Sequence, residues 1–121
     1  MRYAEYAVTP GGAFAYAGKV AVLIDGLDYS AADYLPYAVR RATDVKLVGT
    51  PTAGAYGGSS PEIELADDVT VTVDVNRCAD AQTGAPLEGQ AVVPDVTIEY
   101  EPADLAAGRD TVLEAAVALL N

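Results

Sequence analysis

Histidine is absent from the 121 residues of this chain. It is the side chain that most often accepts the proton in nucleophilic and hydrolytic chemistry near neutral pH. Chemistry of that kind therefore needs some other base, or one from another polypeptide segment. Cysteine is nearly absent too, since Cys78 stands alone. An internal disulfide is excluded, and so is a cysteine-based metal cluster. Seven basic residues face eighteen acidic ones, for a net charge of −11. A basic surface for nucleic acid or anionic lipid is thereby excluded. No apolar run reaches the length of a membrane span. The first residues, Met1-Arg2-Tyr3-Ala4-Glu5, lack the basic-then-apolar order of a signal peptide. No internal repeat or low-complexity tract is present.

What remains is 51% apolar, enough to build a core, at a length that suits one domain or part of one. The chain is organised around residues 25–34, Asp-Gly-Leu-Asp-Tyr-Ser-Ala-Ala-Asp-Tyr. A continuous apolar run, Val20 to Ile24, precedes them and reads as a strand covered on both faces of a parallel sheet. A helix is expected from Ala31 to about Ala42, with Arg40 and Arg41 suiting its C-terminal dipole and Pro36 distorting it. Ser30 thus falls at a strand-to-helix turn. One reading makes it the helix N-cap. The other holds its hydroxyl clear of the core as a nucleophile, with the next backbone N–H facing the same way.

A second strand, Val45 to Val48, completes a β-α-β crossover with parallel strands. The loop from Gly49 to Ser60 then leaves the sheet edge that carries Ser30, which is where ligands sit in open α/β sheets. It reads as a flexible connector or as a substrate-flanking loop. A phosphate cradle does not fit, because no Gly-Lys-Ser/Thr follows. Alternation in Glu62–Leu65 and Val69–Val75, around Asp67-Asp68, predicts a half-exposed antiparallel hairpin. Residues 80–86 read as a turn, Val96 to Tyr100 as a last strand, and Glu101-Pro102 as the start of a helical turn stopped by Gly108. Asp110 caps a final helix, Thr111 to Leu120, with Val112, Leu113, Ala116, Val117 and Leu120 on one face. Residues 1–18, rich in tyrosine, alanine and glycine, read as an N-terminal arm.

Four stretches recur in this order in one family: Lys19 to Ala42, Val48 to Gly54, Pro94-Asp95-Val96, and Asp104 to Asp110 with its helix. Through them the chain resembles the carboxyl-terminal processing, or tail-specific, serine peptidases, and within them the tricorn-core-like branch. The resemblance covers about residues 18 to 120 and implies the C-terminal half of a catalytic domain. It also implies an α/β fold of the crotonase/ClpP-like kind, a spiral of ββα units with a mixed sheet and flanking helices. Ser30 falls on the family's nucleophile. The lysine base of the processing peptidases lands on Ala55, so the Ser-Lys dyad is missing. The tricorn-like branch uses a serine, a histidine and a glutamate shortly before Pro-Asp, and Glu88 occupies that place. Its histidine lies upstream of the nucleophile, and this chain contains none.

The resemblance therefore implies a serine peptidase whose base comes from an upstream segment of the same protein. Ser30 and Glu88 are the expected catalytic residues, with the Ala31 N–H in the oxyanion site. Gly54, Ala55, Tyr56 and Gly57 are expected to flank a peptide or protein substrate. Lys19 and Lys46 lie too far along their strands to act on Ser30. Asp25, Asp28 and Asp33 surround Ser30, but their spacing matches no cation loop, and Asp33 is expected to support the helix N-terminus. No metal or cofactor is expected. The alternative is a non-catalytic binding or assembly domain, which the missing histidine and lysine would also fit. An acyl-CoA enzyme of the crotonase type is disfavoured by the Ser30 turn and by Pro94-Asp95. Uncovered apolar surface predicts self-association, and family habit implies an extracytoplasmic bacterial setting.

Overall fold

The computed structural model describes residues 11–13, 16–42, 45–58 and 60–121. Most of the expected arm over 1–18 lies outside the described residues. The elements run β1 (Val20–Ile24), α1 (Ala31–Ala42), β2 (Val45–Gly49), β3 (Glu62–Glu64), β4 (Thr70–Thr72), β5 (Val96–Thr97), α2 (Pro102–Ala106) and α3 (Thr111–Leu120). The chain is a mixed α/β protein built on a three-stranded parallel sheet of order β1-β2-β5.

β2 is the central strand, and its side chains alternate between two cores. Val45 and Leu47 meet Ile24, Val92, Tyr37 and Val39 on the α1 side. Val48 meets Val112, Ala116, Ala21 and Val96 on the α3 side. Helices thus cover both faces, as a parallel sheet requires. Leu47 and Val48 are wholly buried, and each contributes about 1.5–3 kcal/mol by leaving water. β1 differs from the expectation of full cover. Among the described residues it is an edge strand, only Ile24 is fully buried, and Leu23 is exposed.

Ile24 and Gly49 are partners in the parallel register, so the Ser30 turn and the glycine-rich loop leave the same edge. Gly49 allows the close approach, because a Cβ there would collide with the Ile24 carbonyl oxygen. α1 runs unbroken through Pro36, which is buried. α3 begins where expected, with the Asp110 carboxylate accepting the Leu113 N–H at 2.9 Å. Its inner face is narrower than the pattern suggested. Val112 and Ala116 are buried, whereas Leu113 and Val117 are half exposed. Lys19 donates to the Leu120 carbonyl at 2.9 Å, at the far end of α3.

The hairpin β3–β4 forms in antiparallel register, with Ile63 opposite Val71. Asp67 and Asp68 both take positive φ, 62° and 58°, as a tight turn matched to strand twist demands. Both strands are shorter than expected and exposed along their whole length. No described element covers the face that alternation predicts to be buried. β5 is also short. It pairs with β2 only at Val96 and Thr97, and the Ile98 N–H then bonds to the Gly49 carbonyl.

Candidate active site

Ser30 sits between β1 and α1 with φ of 56°. A non-glycine residue in the left-handed region is uncommon, and it persists only where neighbours over-determine it. Here they do. The Ser30 N–H donates to the Ala55 carbonyl at 2.8 Å, and the Ser30 carbonyl accepts the N–H groups of Asp33 and Tyr34, both at 3.0 Å. The turn before it is closed by its own carboxylates. Asp25 accepts the Leu27 N–H at 2.7 Å, and Asp28 accepts the Asp25 N–H at 2.9 Å.

The Ser30 hydroxyl makes no hydrogen bond to any described residue, so it does not cap α1 through its side chain. The Ala31 N–H likewise meets no acceptor among the described residues, at the positive end of the helix.

The glycine-rich loop is no loose connector. Four consecutive amides are held: Ala53 by the Asp28 carbonyl at 2.9 Å, Gly54 and Ala55 by Asp33 at 3.0 and 2.8 Å, and Tyr56 by Glu88 at 3.0 Å. These N–H groups are occupied by the protein's own acceptors and cannot cradle a phosphate. Gly54 has φ of 71°, and a Cβ there would come within 2.8 Å of the Ala91 nitrogen. Its carbonyl accepts the Gly89 N–H at 2.8 Å, which joins the loop to the segment bearing Glu88. Asp33 departs from expectation, because its carboxylate turns to this loop rather than to the first turn of its own helix.

Tyr56 is buried, its ring edge-on to Tyr34 and Tyr37 at 5.1 and 6.1 Å. Its carbonyl accepts the Tyr34 hydroxyl at 2.8 Å and the Cys78 thiol at 3.3 Å. Tyr56 thus has neither ring nor backbone to offer a peptide, unlike the substrate-flanking place expected of it. Gly54 and Ala55 also spend their backbone groups internally, whereas Gly57 makes no backbone hydrogen bond among the described residues. Burial pushes the Tyr56 phenol up to about 12. Burial and the Cys78 hydrogen bond push the Tyr34 phenol up further. Both stay protonated near neutral pH and are poor proton acceptors.

Glu88 is exposed, and one carboxylate oxygen holds the Tyr56 amide. A cavity of about 320 Å³ lies along α1, lined by Tyr37, Arg40, Arg41, Tyr56, Leu87 and residues 90–93. It touches neither Ser30 nor Glu88. Both of its arginines are already paired, Arg40 with Asp95 at 3.2 Å and Arg41 with Asp80 at 2.7 Å. No cluster of potential metal ligands occurs among the described residues.

The sequence model of Peptidase family S41 matches residues 2–98. The chain belongs to peptidase family S41. It is 29% identical over 100 residues to the tricorn protease of Thermoplasma acidophilum, a match covering 83% of this chain and 9% of that protein. Among solved structures, an inferred peptidase from Parabacteroides merdae superposes with a TM-score of 0.75 at 27% identity, covering 93% of this chain and 35% of the other. The crystal structure of the tricorn protease gives 0.63 at 30% identity, over 85% of this chain and 10% of that one. Mature CPAF gives 0.63 at 26% identity, over 78% and 18%. The chain thus spans about a third or less of the length of these relatives.

Among the described residues, no helix is long and apolar enough to cross a membrane. Asp33 is the site residue that sequence reasoning placed in a different role. Its signal was a carboxylate three positions after the serine, on the inner face of α1, where an unpaired charge is not tolerated.

Proposed function

We propose that this S41 chain is the nucleophile-bearing, C-terminal part of a serine peptidase catalytic domain, with Ser30 as its nucleophile. One observation carries the reading: the strained Ser30 backbone, with neither the hydroxyl nor the Ala31 N–H bonded to any described residue. The implied parent domain is a crotonase/ClpP-like spiral.

In the reaction the Ser30 Oγ adds to the carbonyl carbon of the scissile peptide bond. The C=O electron pair moves onto oxygen, where the Ala31 N–H and the helix N-terminus stabilise the charge. The Oγ proton passes to a base. The intermediate collapses, the C–N bond breaks, and the leaving amine takes up that proton. Water then hydrolyses the acyl-serine by the same path in reverse order.

The base in this reading is a histidine from an upstream segment of the same polypeptide, since this chain has no histidine. Glu88 orients it, using the carboxylate oxygen not spent on Tyr56. Gly57, whose backbone groups meet no described partner, lines the substrate path, and the substrate is a peptide or protein. The exposed apolar residues of the hairpin, Ile63, Leu65, Val69, Val71, Val73 and Val75, support self-association or cover by another part of the protein. Localisation outside the cytoplasm is a further proposal, made by family habit.

The test is peptide hydrolysis by the polypeptide that carries this chain together with its base. Ser30→Ala is expected to abolish turnover while leaving the fold intact. Unchanged turnover would overturn the assignment. The second reading, a non-catalytic binding domain, is favoured by the absence of a histidine from the chain and of a lysine at position 55. It predicts no hydrolysis by wild type or variant, together with retained peptide binding.

A further inference from the structure

We infer that Asp33 is a positioning residue for the Ser30 site: its carboxylate sets the glycine-rich loop and, through the Ala55 carbonyl, fixes the backbone of the nucleophile. The catalytic consequence rests on the reading of Ser30 as nucleophile. The structural consequence does not.

Three hydrogen bonds close a ring. The Ser30 N–H donates to the Ala55 carbonyl at 2.8 Å. The Ala55 N–H donates to Asp33 Oδ2 at 2.8 Å. The Asp33 N–H donates to the Ser30 carbonyl at 3.0 Å. Both backbone groups of Ser30 belong to this ring, so its left-handed φ cannot relax without breaking it. The second carboxylate oxygen, Oδ1, accepts the Gly54 N–H at 3.0 Å and adds a further tether.

The burial of Asp33 argues that the arrangement is fixed. The residue is wholly buried, and no lysine or arginine among the described residues pairs with it. A buried carboxylate without a cation depends on its hydrogen bonds. Its acceptors are met by two consecutive amides of a loop twenty-odd residues away, and no other described group offers to replace them. Glu88 and the Asp28 carbonyl hold the neighbouring amides of the loop, but Asp33 is the side chain that ties Gly54 and Ala55, and through the Ala55 carbonyl Ser30, to α1. A simple stabilising tether would give the same contacts. Positioning differs in that loosening it changes Ser30 reactivity without changing how a reagent binds.

The test is Asp33→Asn. The side chain keeps its size but turns one acceptor into a donor facing an N–H. Amide hydrogen exchange is followed on this chain. A fluorophosphonate is used on the polypeptide that carries the chain with its base. The expected result is faster exchange at Ser30, Gly54 and Ala55 together, with the maximal labelling rate down at least tenfold. The half-saturating probe concentration stays within twofold. If the variant does not fold, Ala55→Pro removes one donor to the same carboxylate and carries the test, with exchange read at Ser30 and Gly54 because proline has no amide hydrogen. Faster exchange with an unchanged labelling rate would overturn positioning in favour of a tether. Unchanged exchange at Ser30 would overturn the proposal outright. If wild type is not labelled, the nucleophile reading fails on its own, and exchange at Ser30 in the variant still decides whether Asp33 holds that backbone.

Discussion

The backbone N–H of Ser30 donates to the carbonyl of Ala55 at 2.8 Å. This bond places the glycine-rich loop beside the residue read as the nucleophile. Ala55 lies where the lysine base of the processing peptidases falls by resemblance, so that position is next to Ser30 in space but carries no base. On the proposed reading the proton acceptor comes from another segment, while Asp33 and Glu88 hold the amides of this loop.

The first prediction concerns that base. A histidine acceptor titrates near pH 6.5 when unperturbed, a lysine near 10.4. In the polypeptide that carries the base, kcat/KM is expected to rise with pH through a midpoint of about 6–7. A rising limb near pH 9–10 would point to a lysine instead. This chain by itself is expected to show little hydrolysis.

Glu88 is exposed, and among the described residues its carboxylate accepts only the Tyr56 amide. Glu88→Gln keeps an acceptor for that amide but loses the charge that orients a protonated base. Thermal stability is expected to stay close to wild type, while kcat falls by about 10²-fold or more. An unchanged kcat would remove Glu88 from the mechanism.

Gly54 has φ of 71°, and a Cβ would meet the Ala91 nitrogen at 2.8 Å. Gly54→Ala is expected to destabilise the fold by about 1–3 kcal/mol, the usual strain at such a position. Urea unfolding measures it. A change below about 0.5 kcal/mol would mean that the loop is looser than described.

Asp80 ties the 78–87 turn to α1. Its buried carboxylate accepts from the Tyr37 hydroxyl and the Thr83 hydroxyl and amide, and it pairs with Arg41. The Tyr37 hydrogen bond, then Thr83, then Arg41 hold its pKa well below the ordinary carboxylate range. The Leu47 N–H, aided by Arg40, lowers that of Asp95. A carboxyl whose folded pKa lies below its unfolded value stabilises the fold above the unfolded value of about 3.9. That contribution is lost as pH falls from about 4 through the folded pKa. Stability is therefore expected to drop steeply below pH 4, and Asp80→Asn to lower Tm by several degrees at pH 7 while flattening the acid limb. An acid limb of unchanged slope in the variant would contradict this assignment.

Much of the frame was legible in the sequence, because local chemistry set it. Val20–Ile24, the Ser30 turn, Asp110 at the start of α3 and the Asp67-Asp68 turn all stand where residue types placed them. The burial of the strands was less legible. β1 and the β3–β4 hairpin carry apolar patterns that ask for partners, and the described residues supply only some of them. Cover depends on neighbours distant in the chain, which periodicity does not reveal. Within the candidate site, the placing of Ser30 between β1 and α1 was legible from its turn. The role of Asp33 was not, because its two amide partners lie more than twenty residues away and become neighbours only when β1 and β2 pair in parallel.

The most direct measurement is mass-spectrometric mapping of a fluorophosphonate adduct on the polypeptide that carries this chain with its base. The account predicts a single adduct on the peptide containing Ser30, absent from Ser30→Ala. An adduct on another residue, or hydrolysis that survives Ser30→Ala, would contradict it.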